Sequence, residues 1–301
     1  MLAIIAPGQG AQTPGMLTPW LEISVCAESI SRWSEVIGKD LVALCTTADA
    51  DEIRDTANAQ PLIVATGLIA VNLLGVSAPI ISGHSVGEIT AAAVAKVISE
   101  FDAMRFVNDR ANAMAKAASL EKTGMSAVLG GDREEVLDAI MKLGLVAAND
   151  NGAGQIVAAG LISELSLFAD NPPAGARIRP LAVAGAFHTR YMQSAQEVLA
   201  KSAAAISPSD PTGSIISNRD GFAVVDGEEV LERIISQVAS PVRWDLCMKS
   251  LQELGVTGVI ELAPAGTLVG LLKRAAPEIE AFAFKSPADL AAASEFAEKH
   301  K

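Results

Sequence analysis

Short apolar runs at residues 2–6, 78–82, 214–217, 257–262 and 281–285, each bounded by Gly, Pro or Asn, predict buried β-strands. Between most of them the apolar spacing turns helical, as at 86–97, 100–119, 189–206 and 244–254. The alternation predicts an α/β fold, a parallel sheet with helices on both faces and an active site at the carboxyl ends of its strands. Residues 125–184 break the rhythm. There MSAVLG, DREEVLDAIMKLG, LVAAND, QIVAAG, LISELSLFAD and ARIRPLAV read strand, helix, strand, strand, helix, strand, a ferredoxin-like order. The expected organisation is a large unit made of residues 1–122 and 187–301, with residues 123–186 inserted as a small unit and a ligand cleft between the two.

Composition narrows the class. The chain has 301 residues, 50% of them hydrophobic but only 4% aromatic, which fits an Ala/Val/Ile/Leu-rich α/β enzyme with a sizeable core. A formal charge of −12 opposes general attraction to nucleic acid or to an anionic membrane, so any anionic ligand needs a local basic site. Cys26, Cys45 and Cys247 are widely separated, with no C-x-x-C, and read as buried thiols of a reducing compartment; no metal site is expected. The start, MLAIIAPGQG, has no basic region and fits a first strand better than a signal peptide, which makes the cytoplasm the expected location. Residues 61–81 are uncharged and close to spanning length, but Asn72, Gly75, Ser77 and Pro79 divide them into a buried helix and a short strand.

The candidate chemistry begins at IISGHSVGE, residues 80–88, where Gly-x-Ser-x-Gly joins a predicted strand to the helical pattern VGEITAAAVAKVI. That context suits a nucleophile elbow, in which Ser85 stands exposed on a sharp turn and the backbone N–H of Val86 faces a developing oxyanion. A serine nucleophile needs a base, and there are three histidines in the chain. His300 is the penultimate residue and His84 adjoins the serine in a turn that makes neighbouring side chains diverge; His188, in AGAFHTRYM, remains. In the helix 100–119, Asp102, Arg105, Asp109, Asn112 and Lys116 form a polar stripe, while Arg110 falls on the apolar stripe with Phe106 and Met114. An inward guanidinium requires a partner, either an internal Asp or Glu or the carboxylate or phosphate of a ligand. The first loop, APGQGAQTPG, lacks a Walker lysine and G-x-G-x-x-G, but it places Gln9 centrally as a second oxyanion donor.

PGQGAQ at 7–12, AQP at 59–61, GHSVGE at 83–88, Arg110, NGAGQIVAAG at 151–160, GAFHT at 185–189 and SPVRW at 240–244 occur in an order that resembles the malonyl-CoA:acyl-carrier-protein transacylase family of bacterial type II fatty-acid synthesis. The resemblance covers nearly the whole chain. It implies a hydrolase-like α/β body with a ferredoxin-like insertion, malonyl-CoA as substrate and an acyl carrier protein, bearing the phosphopantetheine thiol, as partner, with no permanently bound cofactor. It further implies that Ser85 is the nucleophile, His188 its base, the N–H groups of Gln9 and Val86 the oxyanion hole, and Arg110 the clamp on the malonyl carboxylate. Phe187 resembles the malonyl-selective form of its loop, and Asn151 and Gln60 match positions near the cleft, where turn capping and a helix start before or at Pro61 are equally open readings. One departure stands out, Arg243 where many relatives have glutamine; the resemblance gives that residue's main-chain carbonyl the task of orienting His188, and leaves its side chain to pair with an acid or to meet the CoA phosphates. Arg190, Lys201, Lys249, Lys273, Arg274 and Lys285 are candidates for docking an acidic carrier. A serine esterase or thioesterase, and a noncatalytic carrier-binding subunit, are the alternatives.

Overall fold

The structure, a computed structural model, describes residues 1–301. Its strands are β1 Leu2–Ala6, β2 Ile80–Gly83, β3 Thr123–Gly130, β4 Val146–Asp150, β5 Gln155–Leu161, β6 Ala176–Pro180, β7 Ser214–Ile216, β8 Ala223–Val224, β9 Val242–Arg243, β10 Gly258–Glu261 and β11 Glu280–Ala283. The body sheet has the order β11-β10-β1-β2-β7-β8, parallel throughout except for the β7–β8 pair. Every residue of β1, β2 and β10 is buried, as expected of central parallel strands covered on both faces. The expected strands at 2–6, 78–82, 214–217, 257–262 and 281–285 all appear within two residues of their observed ends. Strands β8 and β9, two residues each, had no periodic signal to reveal them.

The second sheet runs β6-β3-β5-β4-β9. Its first four strands pair antiparallel in the ferredoxin-like order, with helices Arg133–Lys142 and Ile162–Asp170 on one face. Side chains alternate across this sheet: Val128, Ile156 and Ala158 join the helices in a separate small core, whereas Met125, Ala127, Gln155 and Val157 face the cleft. The fifth strand, β9, comes from the body and pairs parallel with β4, Asp150 opposite Arg243. The insertion is therefore stitched to the body by a backbone ladder as well as by its two chain connections.

The helix Thr56–Leu74 is long and apolar enough to cross a membrane, but most of it is buried in the main core. It continues through Pro61 because the carbonyl of Ala57, which the proline cannot serve, accepts a hydrogen bond from Lys39 Nζ. The helix Glu100–Ala118 follows its expected stripes: Ala103, Phe106, Val107, Arg110, Met114 and Ala117 are buried, with Ser99 capping the N-terminus through the N–H of Asp102.

The register of β1 and β2 places Ala6 beside Gly83, so the loop holding Gln9 and the turn holding Ser85 leave neighbouring carboxyl ends together. The turn is too tight for side chains at its glycines. A Cβ on Gly83 would lie 2.1 Å from the carbonyl of Gly87, and one on Gly87 would lie 2.3 Å from the carbonyl of Ala6. Gly87→Ala is expected to lower the melting temperature by an amount equivalent to at least about 2 kcal/mol, since backbone must move. Gly270→Ala, in the helix Thr267–Ala275 where an added Cβ meets nothing within 4 Å, is expected to raise it; equal effects from the two would contradict the close-packed turn.

Candidate active site

Ser85 sits between the carboxyl end of β2 and the helix Gly87–Val94 with φ of 54°, a left-handed conformation that costs a non-glycine residue about 1–3 kcal/mol. Asn218, just past β7, holds the turn in place: its Oδ1 accepts from the Ser85 N–H at 2.8 Å and its Nδ2 donates to the Gly83 carbonyl at 2.7 Å. Ser85 Oγ lies 2.7 Å from Nε2 of His188, which is itself held at φ 60° and buried. His188 Nδ1 is 2.9 Å from the carbonyl of Gln237. A carbonyl can only accept, so Nδ1 carries the proton and the Nε2 lone pair faces the serine hydroxyl.

This carbonyl corrects an expectation. Gln237, not Arg243, orients the histidine. Gln237 is the last residue of the helix Gly227–Gln237, and a terminal carbonyl has no partner inside its own helix; this one accepts from the Ser240 N–H at 3.1 Å and has a second lone pair for the imidazole. Arg243 instead forms a fork-to-fork pair with Asp245, Nε to Oδ1 at 2.9 Å and Nη2 to Oδ2 at 2.8 Å, as one of its two expected side-chain roles required.

Burial, together with the charge of Arg110, drives the His188 imidazole down to about 3, so it is neutral at physiological pH. Arg110 is 1% exposed, and its hydrogen-bond partners are all uncharged: Gln60 Oε1 at 2.7 Å from Nη1, and Gln237 Oε1 at 3.1 Å and Ser85 Oγ at 3.4 Å from Nη2. Its Nε has no partner. Burial lowers this guanidinium to about 10, opposed by the field of the nearby Glu88 carboxyl, which burial in turn raises to about 7.

A cavity of about 220 Å³ opens over the serine, between the body and the cleft face of the small sheet. Gln9, Gln60, Ser85, Asn151, Phe187 and His188 line it. Arg110 is not among the lining residues but donates to two of them, Gln60 and Ser85. Gln60 Nε2 reaches Gln9 Oε1 at 3.5 Å, and Asn151 Oδ1 meets His84 Nε2 at 2.9 Å, so His84 points away from the nucleophile as the turn requires. The backbone N–H groups of Gln9 and Val86 donate to no backbone carbonyl. A hydroxyl on a neutral imidazole, beside two free N–H groups and a buried cation, is suited to forming and breaking acyl esters.

The model of the acyl transferase domain family matches residues 4–291. The malonyl CoA-acyl carrier protein transacylase of Mycobacterium tuberculosis is 50% identical over 296 residues, 96% of this chain and 98% of that protein. This chain belongs to the malonyl CoA-acyl carrier protein transacylase family. The crystal structure of the Mycobacterium tuberculosis enzyme superposes with a TM-score of 0.95 over 98% of this chain and 99% of its own. A malonyl-transacylase solved in complex with a type II PKS acyl-carrier protein, 30% identical, superposes at 0.93 over 98% of this chain and 99% of its own.

Sequence reasoning missed Asn218, Gln237 and Glu88 in this transacylase. Asn218 had a usable signal, a polar residue just past a buried strand at the carboxyl edge. Glu88 looked like an ordinary acid in a first helical turn, and Gln237 like any residue ending an amphipathic helix. Because a lowered imidazole value keeps the base form present as pH falls, acylation of Ser85 by an uncharged ester is expected to show no loss between 6.5 and the approach to about 3 while circular dichroism reports a folded chain. A titration limb centred near 6.5 would contradict the buried, neutral His188.

Proposed function

We propose that this protein transfers the malonyl group of malonyl-CoA to the phosphopantetheine thiol of an acyl carrier protein, by a ping-pong route through an ester on Ser85. Ser85 Oγ attacks the thioester carbon while its proton passes to His188 Nε2. The tetrahedral oxyanion is held by the N–H groups of Gln9 and Val86. Collapse expels the CoA thiolate, which leaves as the thiol with the proton from the imidazolium, and the carrier's thiol then repeats these steps in reverse order. Residues 123–186 serve as one wall of the cleft against the unit formed by 1–122 and 187–301. The enzyme needs no cofactor of its own and works in the cytoplasm.

The observation that carries the reading is Arg110, a buried cation 3.4 Å from the serine hydroxyl with neutral partners only. An esterase for uncharged acids has no use for that charge. A malonyl ester on Ser85 would bring its free carboxylate to the guanidinium, where a planar fork accepts it in two parallel hydrogen bonds. Phe187, on the cavity wall and 5% exposed, narrows the space for a branched acyl chain. Asn151 and Gln60 line the same cavity and contribute to its polar wall. The names of the relatives and the solved carrier complex support the choice of substrate and partner.

Intact-protein mass spectrometry after brief mixing with malonyl-CoA is expected to show one malonyl group on Ser85, discharged by carrier protein. Rapid release of free malonate without transfer would favour an esterase instead. Arg110→Ala is expected to lower malonyl loading at least about thirty-fold, corresponding to roughly 2 kcal/mol for an unpaired buried charge, and to spare acetyl loading. Equal losses with both acyl groups would remove the clamp.

A further inference from the structure

We infer that Glu88 is a positioning residue that fixes the side-chain amide of Gln237 and, through that amide, the direction of the Arg110 guanidinium. Glu88 is 2% exposed in the first turn of the helix Gly87–Val94. Its Oε1 accepts from the Asn218 N–H at 2.7 Å, and its Oε2 accepts from Gln237 Nε2. The other end of the same amide, Gln237 Oε1, accepts from Arg110 Nη2 at 3.1 Å.

The donor and acceptor inventory leaves this chain of contacts one arrangement. A guanidinium has donors only and an ionised carboxylate acceptors only, so once Glu88 is ionised an amide between them must turn its NH2 to Glu88 and its oxygen to Arg110. The surroundings agree: Gln237 Nε2 also faces two more acceptors, the Ser85 carbonyl at 3.2 Å and Asn218 Oδ1 at 3.3 Å. A flipped amide would set NH2 against guanidinium and oxygen against carboxylate, leaving buried groups unpaired on both sides. Glu88 therefore reinforces this orientation, together with the Ser85 carbonyl and Asn218 Oδ1, without touching Arg110 or the substrate. Its charge also favours the charged form of Arg110, opposing burial.

The device separates the clamp from the base. Gln237 serves His188 through its main-chain carbonyl, fixed by the end of a helix, and serves Arg110 through its side-chain amide. Disturbing Glu88 releases the amide and leaves the carbonyl in place. The consequence falls on the acyl groups that use Arg110, so this inference rests on the malonyl clamp proposed above.

The test is single-turnover loading of the full chain with malonyl-CoA and acetyl-CoA, at a pH where the Glu88 carboxyl is ionised, for wild type, Arg110→Ala, Glu88→Gln and the double variant. Glu88→Gln keeps the shape but offers both a donor and an acceptor, so the shortest contact to the Gln237 amide no longer favours one orientation and the hold on it weakens. The malonyl-to-acetyl ratio of loading rates is expected to fall about ten-fold, equivalent to about 1.4 kcal/mol, just below the range for a hydrogen bond to a charged group because the amide keeps its other contacts. In the Arg110→Ala background the same substitution is expected to leave the ratio unchanged. A fall in the ratio with Arg110→Ala but none with Glu88→Gln overturns the positioning role alone. No fall with Arg110→Ala overturns the clamp and the positioning role together. If Glu88→Gln does not fold, Gln237→Met breaks the same link from its other end, and an unchanged ratio there overturns the role equally.

Discussion

The site depends on one electrostatic arrangement, a guanidinium almost wholly removed from water and held by amide oxygens rather than by an acid. Burying a cation without a counter-ion is expensive, and here the penalty is visible in Arg110, lowered to about 10 by desolvation. A carboxylate in direct contact would have removed most of that penalty and, with it, any affinity for a carboxylate on a substrate. Gln60 and Gln237 accept from Nη1 and Nη2 without bringing a charge, so the only offset to the cation's field is that of the Glu88 carboxyl, which does not touch it. In the proposed reaction the site thus retains attraction for an anionic acyl group, which would reach it as an ester on the adjacent Ser85.

The same charge shapes the base. Arg110 and the dry surroundings both disfavour an imidazolium at His188, and its Nδ1 meets a neutral carbonyl rather than an aspartate. A histidine so placed is a weak base, adequate for a thioester, whose leaving group is good. Its tautomer and direction are nonetheless fixed, because the Gln237 carbonyl belongs to the end of a helix. Strain at Ser85 and His188, both at positive φ, is borne by the body sheet and by Asn218, which ties the serine turn to the end of β7.

Much of this was legible in the sequence. The body strands are short buried runs, and the insertion shows a change of rhythm, so apolar spacing located both. The elbow declares itself because close backbone packing tolerates only glycine at 83 and 87. Arg110 was visible as a charge on the wrong stripe of its helix. What stayed hidden depended on contacts distant in sequence: Gln237 lies 49 residues from the histidine it orients and 127 from the arginine it holds. Neither its carbonyl nor its amide leaves a trace in local pattern, which is why the orienting role went to Arg243, whose family motif was easier to see. Glu88 was hidden for a different reason, since an acid in a first helical turn already has an ordinary explanation.

The most direct measurement is a crystal structure of the enzyme carrying a malonyl ester on Ser85, trapped in the absence of carrier protein. The expected structure has the free malonyl carboxylate in two-point contact with the Arg110 guanidinium, replacing at least one glutamine oxygen. A carboxylate directed into the open cleft, with Arg110 still bound to both Gln60 and Gln237, would contradict it.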